Sequence, residues 1–235
     1  MSVSRRLFHV VAPVICAVTV LWPGAALAAP ITGHLSTADT GALVAGGGWV
    51  SPPDANGFRI DWAVSQNLNG TWHYAYTFSD EAGSPLKGKT SHIILQLSEN
   101  IEEDDLFNFT GDAGTLEFGT FGPHPSNPNF PTGESIFGVK VDMGGAQNYF
   151  EFDSNRQPMW GDFYAKDGKY GGLDTYAYNA DLGVPVDNLH HYMDTPVDSL
   201  QNPLAKILVP DTHVPEPATV GLIGLGGLAL VRRRR

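Results

Sequence analysis

The 235-residue chain contains a single cysteine, Cys16, which lies in an apolar run near the N-terminus. One thiol excludes a disulfide scaffold, a zinc site built from cysteines and an iron–sulfur cluster, because each needs several cysteines. A lipoprotein signal is excluded too, because it needs a small residue before the cysteine, at the end of the run. We expect Cys16 to leave with the N-terminal segment, so that the mature protein has no thiol.

Basic residues are also scarce. The sequence has 14 Lys and Arg but 25 Asp and Glu, which gives a net charge of −11. This balance disfavours nucleic acid as a partner, because phosphate binding needs a positive face. Glycine and proline together make up 44 residues, so long helices are not expected to dominate. The hydrophobic content of 42% supplies a core for one sizeable domain.

Motifs that would indicate catalysis are missing. The sequence has no Gly-x-Ser-x-Gly elbow, no His-Glu-x-x-His motif and no phosphate-binding glycine loop. We therefore predict no catalytic residue and do not expect an enzyme. A secreted carbohydrate-active enzyme of the glycoside hydrolase type stays open as an alternative, because many acidic pairs exist and the sequence does not fix their separation.

No metal site or cofactor is predicted either. Five acids between residues 99 and 105 match no EF-hand spacing, and we interpret them as a solvated loop. Calcium stays open, and with it a calcium-stabilised structural module. His190 and His191 are interpreted as exposed, because adjacent side chains on an extended chain point to opposite faces.

The N-terminus has the pattern of a secretory signal peptide, residues 1–28. Arg5 and Arg6 precede an apolar run over residues 7–22, which Pro23-Gly24 interrupts. Ala26 and Ala28 form a small-x-small site, with cleavage expected before Ala29. A retained anchor helix and twin-arginine export are the alternatives to general secretion.

The C-terminus combines three features in order. Val214-Pro215-Glu216-Pro217 precedes 14 uncharged residues, 218–231, and these are followed by Arg232, Arg233, Arg234 and Arg235. Prolines hold the first segment extended, and four arginines do not cross a bilayer. As a helix the apolar segment spans about 21 Å against roughly 30 Å of hydrocarbon. The pattern predicts a short, weak transmembrane helix that suits a transient anchor.

This arrangement over residues 214–235 resembles the PEP-CTERM sorting signal of Gram-negative bacteria. The resemblance implies recognition and cleavage by an exosortase-type processing enzyme, after transient anchoring in the inner membrane. It further implies delivery to the cell surface or the extracellular matrix, where exopolysaccharide and biofilm material are found. A plain tail anchor is the alternative. Residues 91–95 and 158–168 also resemble a group of uncharacterised PEP-CTERM proteins, which brings no known activity.

The body of the chain shows the alternation of β-strands. Residues 58–64 and 72–78 alternate apolar and polar side chains around the hairpin signal Asn69-Gly70. Further short strands are expected at residues 92–98, 115–118, 136–142, 147–153, 160–166 and 175–179, separated by turn residues. We predict an all-β fold, an antiparallel, jelly-roll-like β-sandwich over residues 31–182. Residues 183–213, with four prolines, are interpreted as a stalk, although residues 204–209 could pair as an edge strand.

Aromatic residues supply the remaining functional hypothesis. Trp72, Tyr74 and Tyr76 share one strand face and are interpreted as core. A ligand surface is predicted from aromatic rings beside polar groups, at Trp160, Asp162, Tyr164, Asp174, Tyr176 and Tyr178. The body without its two ends has 8 basic and 24 acidic residues, because six arginines and one glutamate lie in the ends. The leading hypothesis is a non-enzymatic surface or matrix protein that supports or binds extracellular polysaccharide.

Overall fold

The computed structural model describes residues 28–50, 56–86, 90–187 and 192–210. The predicted signal peptide up to residue 27, His190-His191 and the C-terminal signal lie outside the described residues. Two short 3-10 helices, Gly47–Trp49 and Glu103–Asp105, lie among the strands of this part. The strands are β1 Ile31–Ser36, β2 Leu43–Gly46, β3 Arg59–Gln66, β4 Trp72–Ser79, β5 His92–Gln96, β6 Leu106–Gly111, β7 Ala113–Phe121, β8 Ile136–Met143, β9 Tyr149–Ser154, β10 Pro158–Gly161, β11 Phe163–Tyr170, β12 Leu173–Asn179 and β13 Ile207–Pro210. Across the described ranges, no helix is long and apolar enough to span a membrane.

The strands form two large antiparallel sheets. One has five strands in the order β1-β3-β4-β9-β6, and the other has six in the order β2-β12-β11-β5-β8-β7. A small third sheet pairs β10 with β13. The predicted all-β antiparallel sandwich is confirmed, and so is the hairpin between β3 and β4, where Gly70 takes a φ of 89°.

The core lies between the two large sheets and follows from the alternation along each strand. Tyr74 and Tyr76 of β4 are fully buried, which confirms their interpretation as core residues. The Tyr74 hydroxyl donates to the Arg156 carbonyl at 2.9 Å, and the Tyr76 hydroxyl donates to the Leu208 carbonyl at 2.8 Å. These bonds satisfy two buried polar groups that would otherwise destabilise the core. The six-stranded sheet contributes Ile93, Leu95, Val139 and Phe163 to the same cluster.

The predicted stalk is wrong for its last part. Strand β13, within residues 183–213, is buried along its whole length and pairs in antiparallel register with β10. Its residues Ile207, Leu208 and Val209 belong to the core cluster. Burial of three aliphatic side chains outweighs the local proline content, so the folded domain extends at least to Pro210 rather than ending at residue 182.

The strand predicted at residues 160–166 is two strands in the structure. Strand β10 ends at Gly161 and β11 begins at Phe163, with Asp162 between them. The turn-forming residues Asp167 and Gly168 do not end this strand, because β11 continues through a bulge between Lys166 and Lys169. The chain reverses instead after Tyr170, where Gly171 and Gly172 both have positive φ.

Candidate functional site

The outer face of the five-stranded sheet is polar. In β3 the residues Ile60, Trp62 and Val64 are buried, so the alternate side chains point away from the core. The same alternation holds in β4 and β9. The outward residues that form this face are Thr32, His34, Arg59, Asp61, Ala63, His73, Ala75, Thr77, Tyr149, Glu151 and Asp153.

A shallow trough crosses this face where the side chains are smallest. Ala63 of β3 lies directly opposite Ala75 of β4, and Thr32 and Glu151 continue the row on either side. Because methyl groups are shorter than the flanking side chains, the row forms a depression of about 350 Å³. Its lining includes Thr32, Gly33, His34, Arg59, Asp61, Trp62, Ala63, Ala75 and Thr77.

One wall of the trough is a fixed ion pair. Arg59 and Asp61 are two residues apart on β3 and therefore project from the same face. Arg59 Nε donates to Asp61 Oδ2 at 2.8 Å, and Nη2 donates to Oδ1 at 2.6 Å. The hydrogen bond to Asp61 raises the pKa of Arg59, partly offset by burial. This bidentate geometry holds both groups in one orientation, and both remain partly exposed.

At the adjoining end of the sheet, Asp153 accepts several hydrogen bonds. Asn67 Nδ2 lies 3.2 Å, His73 Nδ1 2.9 Å and Asn108 Nδ2 2.8 Å from its carboxylate oxygens. Burial acts to raise the pKa of Asp153, but the bonds from Asn108, His73 and Asn67 lower it below its ordinary value. Asp153 is therefore a stable anion and a poor proton donor. His73 Nε2 also lies 3.6 Å from Glu151.

The predicted ligand surface is only partly assembled. Tyr164, Tyr176 and Tyr178 form a stack on the outer face of the six-stranded sheet, with ring centroids 6.4 Å and 6.1 Å apart. Tyr164 is fully buried, and its hydroxyl donates to the Pro128 carbonyl at 2.8 Å. Tyr176 and Tyr178 stay half-buried. Of the three rings, these two are therefore the ones still accessible to a ligand.

Asp162 and Trp160 of that prediction lie elsewhere, whereas Asp174 shares the outward face of β12 with Tyr176 and Tyr178. Asp162 is buried and pairs with Lys206, so it is not available to a ligand on the surface. Trp160 belongs to β10, where it packs edge-on against Trp62, and its Nε1 donates to the Asp194 carbonyl. Asp174 is 3.7 Å from Lys169. Strand periodicity correctly predicted that the tyrosines share one face. It did not show that one strand ends at Gly161 and the next begins at Phe163, with Asp162 between them.

Two carboxylates of the acidic loop at residues 99–105, those of Glu102 and Asp105, form hydrogen bonds within the protein. Asp105 accepts from Arg156 Nη2 at 2.6 Å and from the Glu102 backbone N–H at 3.0 Å. The latter contact is half of a capping box on the short helix Glu103–Asp105. In the part of the chain that the structure describes, no group of three or more His, Cys, Asp or Glu is placed to hold a metal ion.

The trough was missed by sequence reasoning, although its signals are local. Alternation along β3 and β9 placed Arg59 beside Asp61 and Glu151 beside Asp153, two residues apart. Only the pairing of β3 with β4 and of β4 with β9 shows that these pairs flank one depression.

Comparison with known proteins gives a match for the C-terminal segment alone. No curated protein and no solved structure matches the chain. Residues 213–235 match the family model described as the PEP-CTERM protein-sorting motif. Two residues separate this segment from the end of the buried strand β13. The chain therefore carries a PEP-CTERM protein-sorting motif, which marks it as an exosortase-targeted protein that is anchored in the membrane and then exported.

Proposed function

We propose that the chain is a non-enzymatic surface or matrix protein whose β-sandwich binds a neutral extracellular polysaccharide. The binding site is the trough of Ala63 and Ala75 on the outer face of the five-stranded sheet. The observation that carries this proposal is the set of oriented polar groups around a floor of methyl groups. Sugar rings present hydroxyl donors and acceptors around apolar C–H faces, and both features have counterparts here.

The negative charge of the body favours a neutral polysaccharide over an anionic one. The body between the two terminal signals has a net charge of −16, from 8 basic and 24 acidic residues. Such a surface repels polyanions, whereas a neutral polymer is unaffected. Within the trough, Asp61 accepts hydrogen bonds from hydroxyl groups, and Arg59 donates to them. Their mutual ion pair fixes both before binding, which reduces the entropy lost on association.

The lowered pKa of Asp153, which lies on the same face beyond the trough, favours binding over hydrolysis. A glycoside hydrolase needs one carboxylic acid that stays protonated to donate to the leaving group. Asp153 does not meet this requirement because its pKa is lowered. Glu151 lies on the same face, and it keeps the alternative of a glycan-active enzyme testable.

We expect Ala75→Phe to weaken polysaccharide binding by at least about tenfold, which corresponds to about 1.4 kcal/mol. The ring would occupy the trough without disturbing the core, because Ala75 faces away from it. The measurement is retention of the purified protein on the neutral polysaccharide fraction of its host's own matrix. Leu173→Phe, at an exposed position on the other sheet, is the matched control. Equal retention of both variants would contradict the proposed site.

The same incubation separates binding from catalysis. We expect no new reducing ends after incubation of the protein with this polysaccharide fraction. If reducing ends accumulate with the wild type but not with Glu151→Gln, the protein is a glycoside hydrolase and the non-enzymatic proposal is wrong.

Deletion of residues 214–235 is expected to abolish surface sorting. The deletion removes the Pro-Glu-Pro motif, the apolar segment and all four terminal arginines, so the exported chain has no membrane stop. We expect the truncated protein in the culture medium, unprocessed at its C-terminus, by fractionation and mass spectrometry. Replacing Arg232–Arg235 by four lysines, which keeps the charge, is the control. An unchanged surface fraction for the deletion would contradict the sorting role.

A further inference from the structure

A lysine and an aspartate are buried together where β10 meets β13. Lys206 Nζ lies 2.5 Å from Asp162 Oδ1 and also donates to the Asp181 carbonyl at 2.8 Å. The two side chains are 2% and 4% exposed. An amine and a carboxyl group held this closely, away from water, are the two reactants of an amide bond.

Strand register produces this contact. Gly161 of β10 is paired with Ile207 of β13, so Asp162 and Lys206 are the next two residues across the same antiparallel pair. Hydrogen bonds from the Asp162 backbone N–H to Gln96 Oε1 and from Ala205 N–H to Asp181 fix the two chains. The reactive groups are therefore oriented by backbone on both sides, which raises their effective concentration.

Other donors are directed at the same carboxyl group. Asn179 Nδ2 donates to Asp162 Oδ1 at 2.6 Å, and the Gly183 backbone N–H donates to Oδ2 at 3.0 Å. Asn179 is itself held in place, because its Oδ1 accepts from the Phe163 N–H at 2.9 Å. Fixed donors of this kind stabilise the negative charge that forms on oxygen when an amine attacks a carbonyl carbon.

Burial also favours the product over the reactants. A buried ammonium and carboxylate each lose their hydration, and their attraction offsets this cost only in part. An amide is neutral, and its formation releases one water molecule from the site. The exclusion of water from Lys206 and Asp162 therefore shifts the equilibrium towards condensation.

We propose that Lys206 and Asp162 form an intramolecular isopeptide bond. One ammonium proton of Lys206 moves to the Asp162 carboxylate, and the neutral amine attacks Cγ. The new bond is Nζ–Cγ, and the bond that breaks is Cγ–O. The leaving oxygen takes a second proton from the nitrogen and departs as water, so no oxidant, nucleotide or other reactant is consumed.

The proposed bond lies next to β13, the strand that connects the domain to the C-terminal sorting motif. Strand β13 ends at Pro210, and the sorting motif begins at residue 213. Force on a membrane-anchored or surface-attached C-terminus acts first on β13, which four residues hold in a two-stranded sheet. An amide at Lys206 ties this strand to the sandwich covalently, in a protein whose mature part contains no cysteine.

Tandem mass spectrometry of the protein purified from its native host tests the proposal. We expect a branched peptide in a digest, joining the segment that contains Lys206 to the segment that contains Asp162, with the loss of one water. Intact mass alone is not sufficient, because succinimide formation at Asp167-Gly168 removes one water as well. Lys206→Arg keeps the charge but cannot form this amide, and Lys166→Arg on β11 is the matched control.

Each result of this experiment either supports or overturns the proposed bond. The water-loss branched peptide in the wild type and in Lys166→Arg, and its absence in Lys206→Arg, supports the proposal. Unlinked Lys206 and Asp162 peptides from the folded wild type overturn it. A branch from Lys206 to Asn179 with the loss of one ammonia also overturns it, because the acceptor is then the amide. The wild-type digest decides the matter even if Lys206→Arg does not fold.

Discussion

Replacement of Phe150 by alanine is expected to lower the free energy of unfolding by about 3–5 kcal/mol. Phe150 is fully buried in β9, at the centre of the core between the two sheets. Its ring stacks on Tyr76 with centroids 5.2 Å apart and on Phe78 at 6.1 Å. Truncation removes these contacts and leaves a cavity that the paired strands on either side prevent from collapsing.

Urea denaturation of the purified protein, followed by tryptophan fluorescence, measures this effect. Leu68→Ala is the matched control, because Leu68 lies in a turn and is 76% exposed. We expect the control to change the unfolding free energy by less than about 0.5 kcal/mol. A loss below about 1 kcal/mol for Phe150→Ala would contradict the assignment of this ring to a tightly packed core.

Acidification is expected to destabilise the protein through His92. This side chain is buried on β5, and its pKa is lowered to about 4, mainly by burial and then by Lys166 and Lys140, while Asp142 and the neighbouring Asn127 side chain act in the opposite sense. In the unfolded chain a histidine has a pKa of about 6.5. Between these values the unfolded state binds the proton and the folded state does not, so stability falls as the pH falls. The His92 contribution is complete above about pH 6.5 and decreases towards pH 4, by up to about 3 kcal/mol.

The measurement compares unfolding free energies at pH 7 and pH 4 for the wild type and His92→Gln. Carboxylates such as Asp153 titrate over part of the same range, but they are common to both proteins and cancel in the difference. We expect His92→Gln to lose less stability on acidification than the wild type, by up to about 3 kcal/mol. Equal losses in both proteins would show that His92 is protonated in the folded state.

The strands that were predicted best are those whose signal is local. Residues 58–64 and 72–78 alternate strictly and are joined by Asn69-Gly70, and they became β3 and β4 with in-register pairing. Strand β1 escaped prediction although its residues alternate between partly buried and exposed positions. Strands β2 and β6 were missed as well. Their pairing with strands distant in sequence stabilises them, and a local pattern does not report such pairing.

For the functional residues too, contacts within one strand could be predicted from the sequence, whereas contacts between distant segments could not. Spacing of two residues is enough to place Glu151 and Asp153 on one face of a strand. It does not reveal that Asn67 and Asn108 converge on Asp153 from two other segments, or that this contact lowers its pKa. Likewise, Asp162 has the sequence environment of a surface residue beside aromatic rings. Only its position opposite Lys206 across β10 and β13 makes it a buried residue.

The sequence by itself determined the export of the protein and the character of its strands. The PEP-CTERM motif is contiguous over residues 213–235, and alternation in β3 and β4 is a property of consecutive side chains. The tertiary structure alone decided that β13 belongs to the core, that Asp162 meets Lys206, and that Ala63 and Ala75 form the floor of a trough. These features depend on register between strands that lie far apart in the chain, and register is fixed by the packing of the whole sandwich.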